Sequence, residues 1–175
     1  NVGRLLDVPQ GMLGLRQSEA LFSHVKRLPD LMRQLQEAGL LDGISGIGAS
    51  TQPREVEGSY MPCFLAGYSQ ARVLSAVLGV PFFPCSHQQG HLAAAAWSAE
   101  RMELLAQPFL AWHLSGGTTE LLLVRPDGVN VYAERIGGTS DISAGQLIDR
   151  TGQLLEVAFP AGKMLDQLSE RADKD

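Results

Sequence analysis

The sequence predicts an α/β protein in which strands joined by helical crossovers give way to an antiparallel β-meander. Two observations carry this expectation. In the first half of the chain, segments with the spacing of amphipathic helices alternate with short apolar runs, the order that builds parallel strands. Then three runs of β-type composition, 108–114, 119–125 and 129–136, follow one another with only turn sequences between them. A boundary near Gln107 follows, separating 1–107 from 108–175.

Asn1 to Leu15 carries Gly3, Gly11 and Gly14, a poor composition for helix, and reads as a loop or a short strand pair. Arg16 to Ala38 places Leu21, Val25, Leu28, Leu31, Met32 and Leu35 on one helical stripe, with Ser18 and Glu19 as start signals and Gly39 as the stop. Pro29 is expected to kink this helix or divide it. Leu41 to Ala49 is a Gly-rich apolar run bounded by turn residues and reads as a buried strand, and Ser50 to Met61 as a polar loop. Helical spacing resumes from Pro62 to Leu78 and stops at Gly79, after which Val80 to Cys85 is strand-like. Ser86 is the expected N-cap of a helix from His87 to about Leu105, through an alanine tract. After the meander, Ile142 to Val157 reads as helix, and Pro160-Ala161-Gly162 separates it from a last helix through Leu165 and Leu168.

At 175 residues the chain is long enough for one domain or two small lobes, and 45% apolar content makes disorder a poor reading. No apolar run approaches the roughly 18 residues of a membrane-spanning helix, and no secretory signal opens the chain. Because it begins without Met, it is expected to start inside a longer product. A net charge of −5 opposes a phosphate backbone, so RNA would have to be reached through a local patch or another subunit. Cys63 and Cys85, far apart in apolar settings, read as two buried thiols in a reducing, cytoplasmic compartment.

Two stretches carry chemistry. His87 and His91 lie one helical turn apart, so both imidazoles share a face and could hold a divalent metal; capping or packed histidines are the alternative. Gly90 between them lets a ligand or another backbone approach. Ser115-Gly116-Gly117-Thr118-Thr119 is a strand-turn-strand element whose amides and hydroxyls can wrap phosphate oxygens, or simply a hairpin turn. Asp149, Gly162 and Asp166 offer a carboxylate and a helix start suited to a ribose hydroxyl and a charged group, or else a solvated acid and a loop glycine. His24 and His113 read as structural.

These stretches resemble one family, the tRNA threonylcarbamoyladenosine synthase catalytic subunits, long labelled O-sialoglycoprotein endopeptidase or glycoprotease. The family's His-Met-Glu-Gly-His is matched by His87-Gln88-Gln89-Gly90-His91, and its Ser-Gly-Gly-His-Thr by Ser115 to Thr119. Its Ala-Gly-Glu-Ala-Phe-Asp-Lys is matched by Ala144 to Arg150, and its Pro-Gly-Gly by Pro160-Ala161-Gly162. The resemblance implies an actin-like ATPase fold of two ribonuclease-H-like lobes, with 1–107 belonging to the first and 108–175 opening the second. It implies transfer of a threonylcarbamoyl group from its adenylate to N6 of the tRNA adenosine beside the anticodon. By the same resemblance His87 and His91 are ligands of iron or zinc. His113, Leu114, Ser115, Gly116 and Gly117 line the threonylcarbamoyl-adenylate, and Asp149, Gly162 and Asp166 contact its nucleoside end. Homologous or accessory subunits are the expected partners, with tRNA bound only through a complex and no membrane.

Several positions depart from the family pattern. Its Ala-Gly-Pro-Gly-Leu loop is replaced by Ser50 to Glu55, the Glu between its paired histidines is Gln89, and the histidine after Ser-Gly-Gly is Thr118. The amino-terminal phosphate-binding strands have no counterpart, and neither does the carboxy-terminal part with its Asn and third metal ligand. A middle portion of the fold is expected, and with it an alternative: a non-catalytic paralogue that binds an active homologue. Proteolysis is disfavoured, since no Glu adjoins the histidines to activate water.

Overall fold

The computed structural model describes residues 2–4, 6 and 15–172, so the expectation for Asn1 to Leu15 lies almost wholly outside the described residues. The chain forms two compact units, Asn1–Glu100 and Arg101–Asp175. Both are of α/β composition, with a parallel sheet in the first and an antiparallel sheet in the second.

The first unit begins with α1 (Gln17–Glu37), whose start is held by Glu19 Oε2 accepting from the Arg16 amide at 3.2 Å. Pro29 neither divides the helix nor ends it. It lies on the exposed side, where the carbonyl it deprives of a partner can turn to water. The helix ends as its glycine demands: Gly39 adopts φ +68°, and the Leu40 amide reaches back to the Leu35 carbonyl at 3.0 Å. Strand β1 (Ile47–Gln52), helix α2 (Phe64–Leu78) and strand β2 (Phe82–Ser86) then make a parallel pair with a helical crossover, in register from Ile47↔Phe82 to Ser50↔Cys85 and shifted by one residue at Gln52↔Ser86. β1 is therefore displaced from the expected 41–49. Gly43 at φ +70° turns the chain before it, and its polar end is retained because Thr51 Oγ1 donates to the Cys85 carbonyl at 3.3 Å. Small side chains set the packing: Ala66 and Ala71 of α2 are buried, as are Leu92 and Ala96 of α3 (His87–Ser98).

α3 stops well short of Leu105. Glu100 takes a left-handed conformation (φ 56°), and its amide bonds the Trp97 carbonyl at 3.1 Å. A 3₁₀ turn (Met102–Ala106) follows and belongs to the second unit. There β3 (Phe109–Leu114), β4 (Thr119–Asp127) and β5 (Asn130–Gly138) form the expected meander in the order β3-β4-β5. Gly128, at φ +59°, provides the second turn. One face is closed over Leu122, Val124 and Val131. Helices α4 (Ala144–Leu154) and α5 (Gly162–Arg171) complete the unit. α4 ends before the expected Val157 because Glu156, at φ 57°, closes a Schellman turn with Val157 N bonded to the Gly152 carbonyl at 2.8 Å.

Candidate functional site

In the first unit the site grows from the carboxyl ends of β1 and β2, where ligands of open parallel sheets bind. Ser86, fully buried, ends β2 and caps α3: its Oγ accepts from Gln89 N at 3.2 Å, and its own amide donates to Gln89 Oε1 at 2.7 Å. This reciprocal box gives Gln89 a structural task that an amide performs as well as a carboxylate. It also fixes the first turn of α3, from which both histidines project. Their Nε2 atoms stand 2.9 Å apart and the rings meet at 70°. The Phe64 ring lies edge-on to His87, with centroids 6.0 Å apart. The loop that departs from the family pattern reaches the same place, since Gln88 N donates to the Pro53 carbonyl at 3.1 Å. A cleft of about 410 Å³ opens beside His87, walled by His24 and Leu28 of α1, Ser50 of β1, Cys63 just ahead of α2, and Phe64 and Gly67 of α2. A β-carbon on Gly90 would meet only Ser50 Oγ, at 3.9 Å, so packing does not require glycine there.

The two imidazole nitrogens, 2.9 Å apart, are within hydrogen-bond distance, one donating and the other accepting; ligands about 2.1 Å from a tetrahedral metal stand about 3.4 Å apart, so a shared cation would need the two rings to part slightly. The donor chemistry fits a borderline transition metal. Among the described residues no group of three or more His, Cys, Asp or Glu side chains is placed to hold a metal.

In the second unit the Ser115–Thr118 turn is tied together by its own first side chain. Ser115 Oγ accepts from Gly117 N at 3.2 Å and Thr118 N at 3.0 Å, and lies 2.6 Å from Thr118 Oγ1. The turn is seated on the start of α4. Ser143 Oγ donates to the Gly116 carbonyl at 2.7 Å and accepts from Gln146 N at 3.3 Å, so one buried hydroxyl caps the helix and anchors the turn. Ala144 N donates to Thr119 Oγ1 at 2.7 Å and Gly145 N to the Ser115 carbonyl at 3.2 Å. Gly145 is obligatory, since a β-carbon there would lie 2.6 Å from Gly116 Cα. Gly116 and Gly117 are not: a β-carbon on either would meet nothing within 4 Å, and neither has a positive φ.

Asp149 is no solvated acid. Its Oδ1 accepts from Ala161 N at 3.2 Å, fixing the entry to α5 beside Gly162. Gly162 has open space around it, whereas Asp166 lies exposed one turn further along α5. His113 shares a sheet face with Glu120, its Nδ1 3.7 Å from Oε2. Ser143, Glu120 and Arg135 escaped sequence reasoning. Ser143 had a signal, a hydroxyl just ahead of a helical stripe; Glu120 and Arg135 had none.

A family described as tRNA N6-adenosine threonylcarbamoyltransferase matches residues 12–174. The chain belongs to that family. Relatives of the same description include proteins of Parasynechococcus marenigrum (33% identical over 152 residues), Thermus thermophilus (36% over 152) and Bordetella pertussis (36% over 151). In each case the similarity covers 86% of this chain but only 40%, 43% and 41% of the relative. The chain thus spans about two-fifths of the threonylcarbamoyltransferases it matches. No helix among its described residues is long and apolar enough to cross a membrane.

Proposed function

We propose that this chain is the central part of a metal-dependent enzyme that transfers a threonylcarbamoyl group from its adenylate to N6 of tRNA adenosine. The observation that carries the reading is the convergence of His87 and His91 at the carboxyl end of a parallel sheet, in a chain of this family. On this reading the two units are parts of the two ribonuclease-H-like lobes of an actin-like ATPase fold. Iron or zinc held by His87 and His91 would supply Lewis acidity toward the carbamoyl group. Ser115, Gly116 and Gly117 receive the adenylate: the turn is braced from behind by Ser143, and its two glycines keep side chains off the amides. His113 and Leu114 form the strand end leading into it, and Asp149, Gly162 and Asp166 face the nucleoside. tRNA is brought by accessory or homologous subunits, in keeping with the chain's net charge of −5, and the work is done in the cytoplasm.

The test is genetic and chemical. The complete natural gene is expressed in cells depleted of their own threonylcarbamoyltransferase, and the modified nucleoside is measured in digested tRNA. Restoration that His87→Ala abolishes is the expected result. Failure of the intact gene to restore it, with the protein present, refutes the proposal.

A further inference from the structure

The sheet face that carries His113 is apolar along most of its length, through Ala111, Leu122, Val124 and Val131. Its site end is different. Glu120 pairs across the strands with His113, and Arg135 stands diagonally opposite on β5. The Glu120 side chain is 6% exposed, with His113 Nδ1 3.7 Å from Oε2 and Arg135 Nη1 3.6 Å from Oε1. Burying a carboxylate costs several kcal/mol, and ionic neighbours repay it incompletely, so such a cluster is weak evidence for a stabilising role. A function nearby explains it better.

From Arg135 the chain runs on as the lining of an open surface hollow of about 410 Å³, formed by residues 135–140. That lining offers a guanidinium, the hydroxyl of Ser140 and that of Thr139, which also accepts from Asp141 N at 3.1 Å. Thr139 N donates to the Thr119 carbonyl at 3.0 Å, and Gly138 packs so closely that a β-carbon would lie 2.8 Å from the same oxygen. The lining is thereby stitched to the strand that leaves the Ser115–Thr118 turn. A guanidinium and hydroxyls are donors that phosphate oxygens select.

We propose that Arg135, positioned by the buried carboxylate of Glu120, forms with Thr139 and Ser140 a subsite for the oxyanion of a phosphate ester beside the Ser115–Thr118 turn. The proposal rests on the nucleotide reading above and adds to it a recognition residue that the motifs do not contain. The phosphate comes either from a nucleotide in the turn or from an RNA backbone crossing it.

The complete natural protein is titrated calorimetrically with adenosine, AMP and a short RNA oligonucleotide. The variants are Arg135→Met, Arg135→Lys, Glu120→Gln and, as a control, Arg125→Met, whose guanidinium pairs with Glu134. Circular dichroism checks that each is folded. Arg135→Met is expected to weaken AMP binding roughly 10–100-fold, the size of a charge-assisted contact. Arg135→Lys recovers part of this, Glu120→Gln loses less, and Arg125→Met and all adenosine affinities stay unchanged. Loss confined to RNA identifies the backbone as the phosphate source and still supports the subsite. Equal binding of AMP and RNA by wild type and Arg135→Met overturns the subsite and leaves the nucleotide reading intact. A wild type that binds none of the three ligands overturns both.

Discussion

Replacing Gly145 by alanine tests how the Ser-Gly-Gly turn is held. Gly145 sits in the first turn of α4, where alanine is intrinsically better by about 1 kcal/mol. Its added β-carbon, however, would lie 2.6 Å from Gly116 Cα, 2.8 Å from the Ser115 carbonyl oxygen and 2.9 Å from Gly116 N. All three are backbone atoms, so no side chain can rotate out of the way, and either the turn or the helix must shift. Overpacking of this kind costs about 1–3 kcal/mol, occasionally more, which outweighs the propensity gain. The bonds from Gly145 N to the Ser115 carbonyl and from Ser143 Oγ to the Gly116 carbonyl are the first to stretch. Thermal unfolding, with hydrogen exchange resolved on peptides covering 115–119 and 143–149, reads both effects. For a unit of this size a net loss of about 1–2 kcal/mol lowers Tm by several degrees, and exchange rises in both peptides together. Gly162→Ala is the control, since its β-carbon would have Ile148 Cγ2 at 3.9 Å as its nearest neighbour. A Gly145→Ala protein as stable as wild type, with unchanged exchange in the turn, would refute the wedge.

Three further outcomes are expected. Gln89→Glu keeps the capping box and gains from the helix N-terminus but buries a carboxylate, so its Tm falls less than that of Gln89→Leu, which removes an acceptor for the buried Ser86 amide and costs about 1–2 kcal/mol. Asp149→Ala loses the bond to Ala161 N and weakens the start of α5 by about 1 kcal/mol, seen as faster amide exchange in α5, and Asp149→Asn retains most of it. Glu103 titrates below the ordinary glutamate range because the Arg101 side chain donates a hydrogen bond to it. A depressed carboxyl contributes stability above the unfolded-state value and loses it as pH falls through the folded one, so an NMR titration should show a low Glu103 midpoint that Arg101→Met raises toward the ordinary value.

The ends of the helices show what a sequence can and cannot disclose. α1 and α2 stop at Gly39 and Gly79, residues that take positive φ without cost, and both ends were legible. α3 and α4 stop through the same left-handed geometry, but the residues in it are Glu100 and Glu156. Nothing local marks a glutamate for that conformation, and the alanine tract before Glu100 argues for more helix. Tertiary packing decides there, and the expected boundaries at Leu105 and Val157 overran. β1 was misplaced for a related reason. Its polar half, Ser50 to Gln52, looks like loop until the partner strand is known, and only the register with Cys85 and Ser86 draws it into the sheet. The meander needed no such information, because alternating strands and an Asp127-Gly128 turn are local signals.

Glycines separate the needs of the fold from those of a ligand. Gly145 and Gly152 are required by packing, with would-be β-carbon contacts of 2.6 and 2.1 Å, and Gly138 by its approach to Thr119. Gly90, Gly116, Gly117 and Gly162 are required by nothing the described residues present: no contact shorter than 3.9 Å and no positive φ. Glycine within or at the start of a helix, as at 90 and 162, gives up about 1 kcal/mol to alanine, so keeping it there without a structural need marks a place where something else must come close. Gly3 and Gly67 are as free of contacts, but these four lie in the stretches that carry the candidate site: between the paired histidines, in the Ser-Gly-Gly turn, and at the start of α5. Alanine at these four positions should therefore leave stability unchanged or raise it while impairing ligand binding, the reverse of the pattern expected at Gly145 and Gly152. A set in which stability and binding fell together would show that the glycines serve the fold after all.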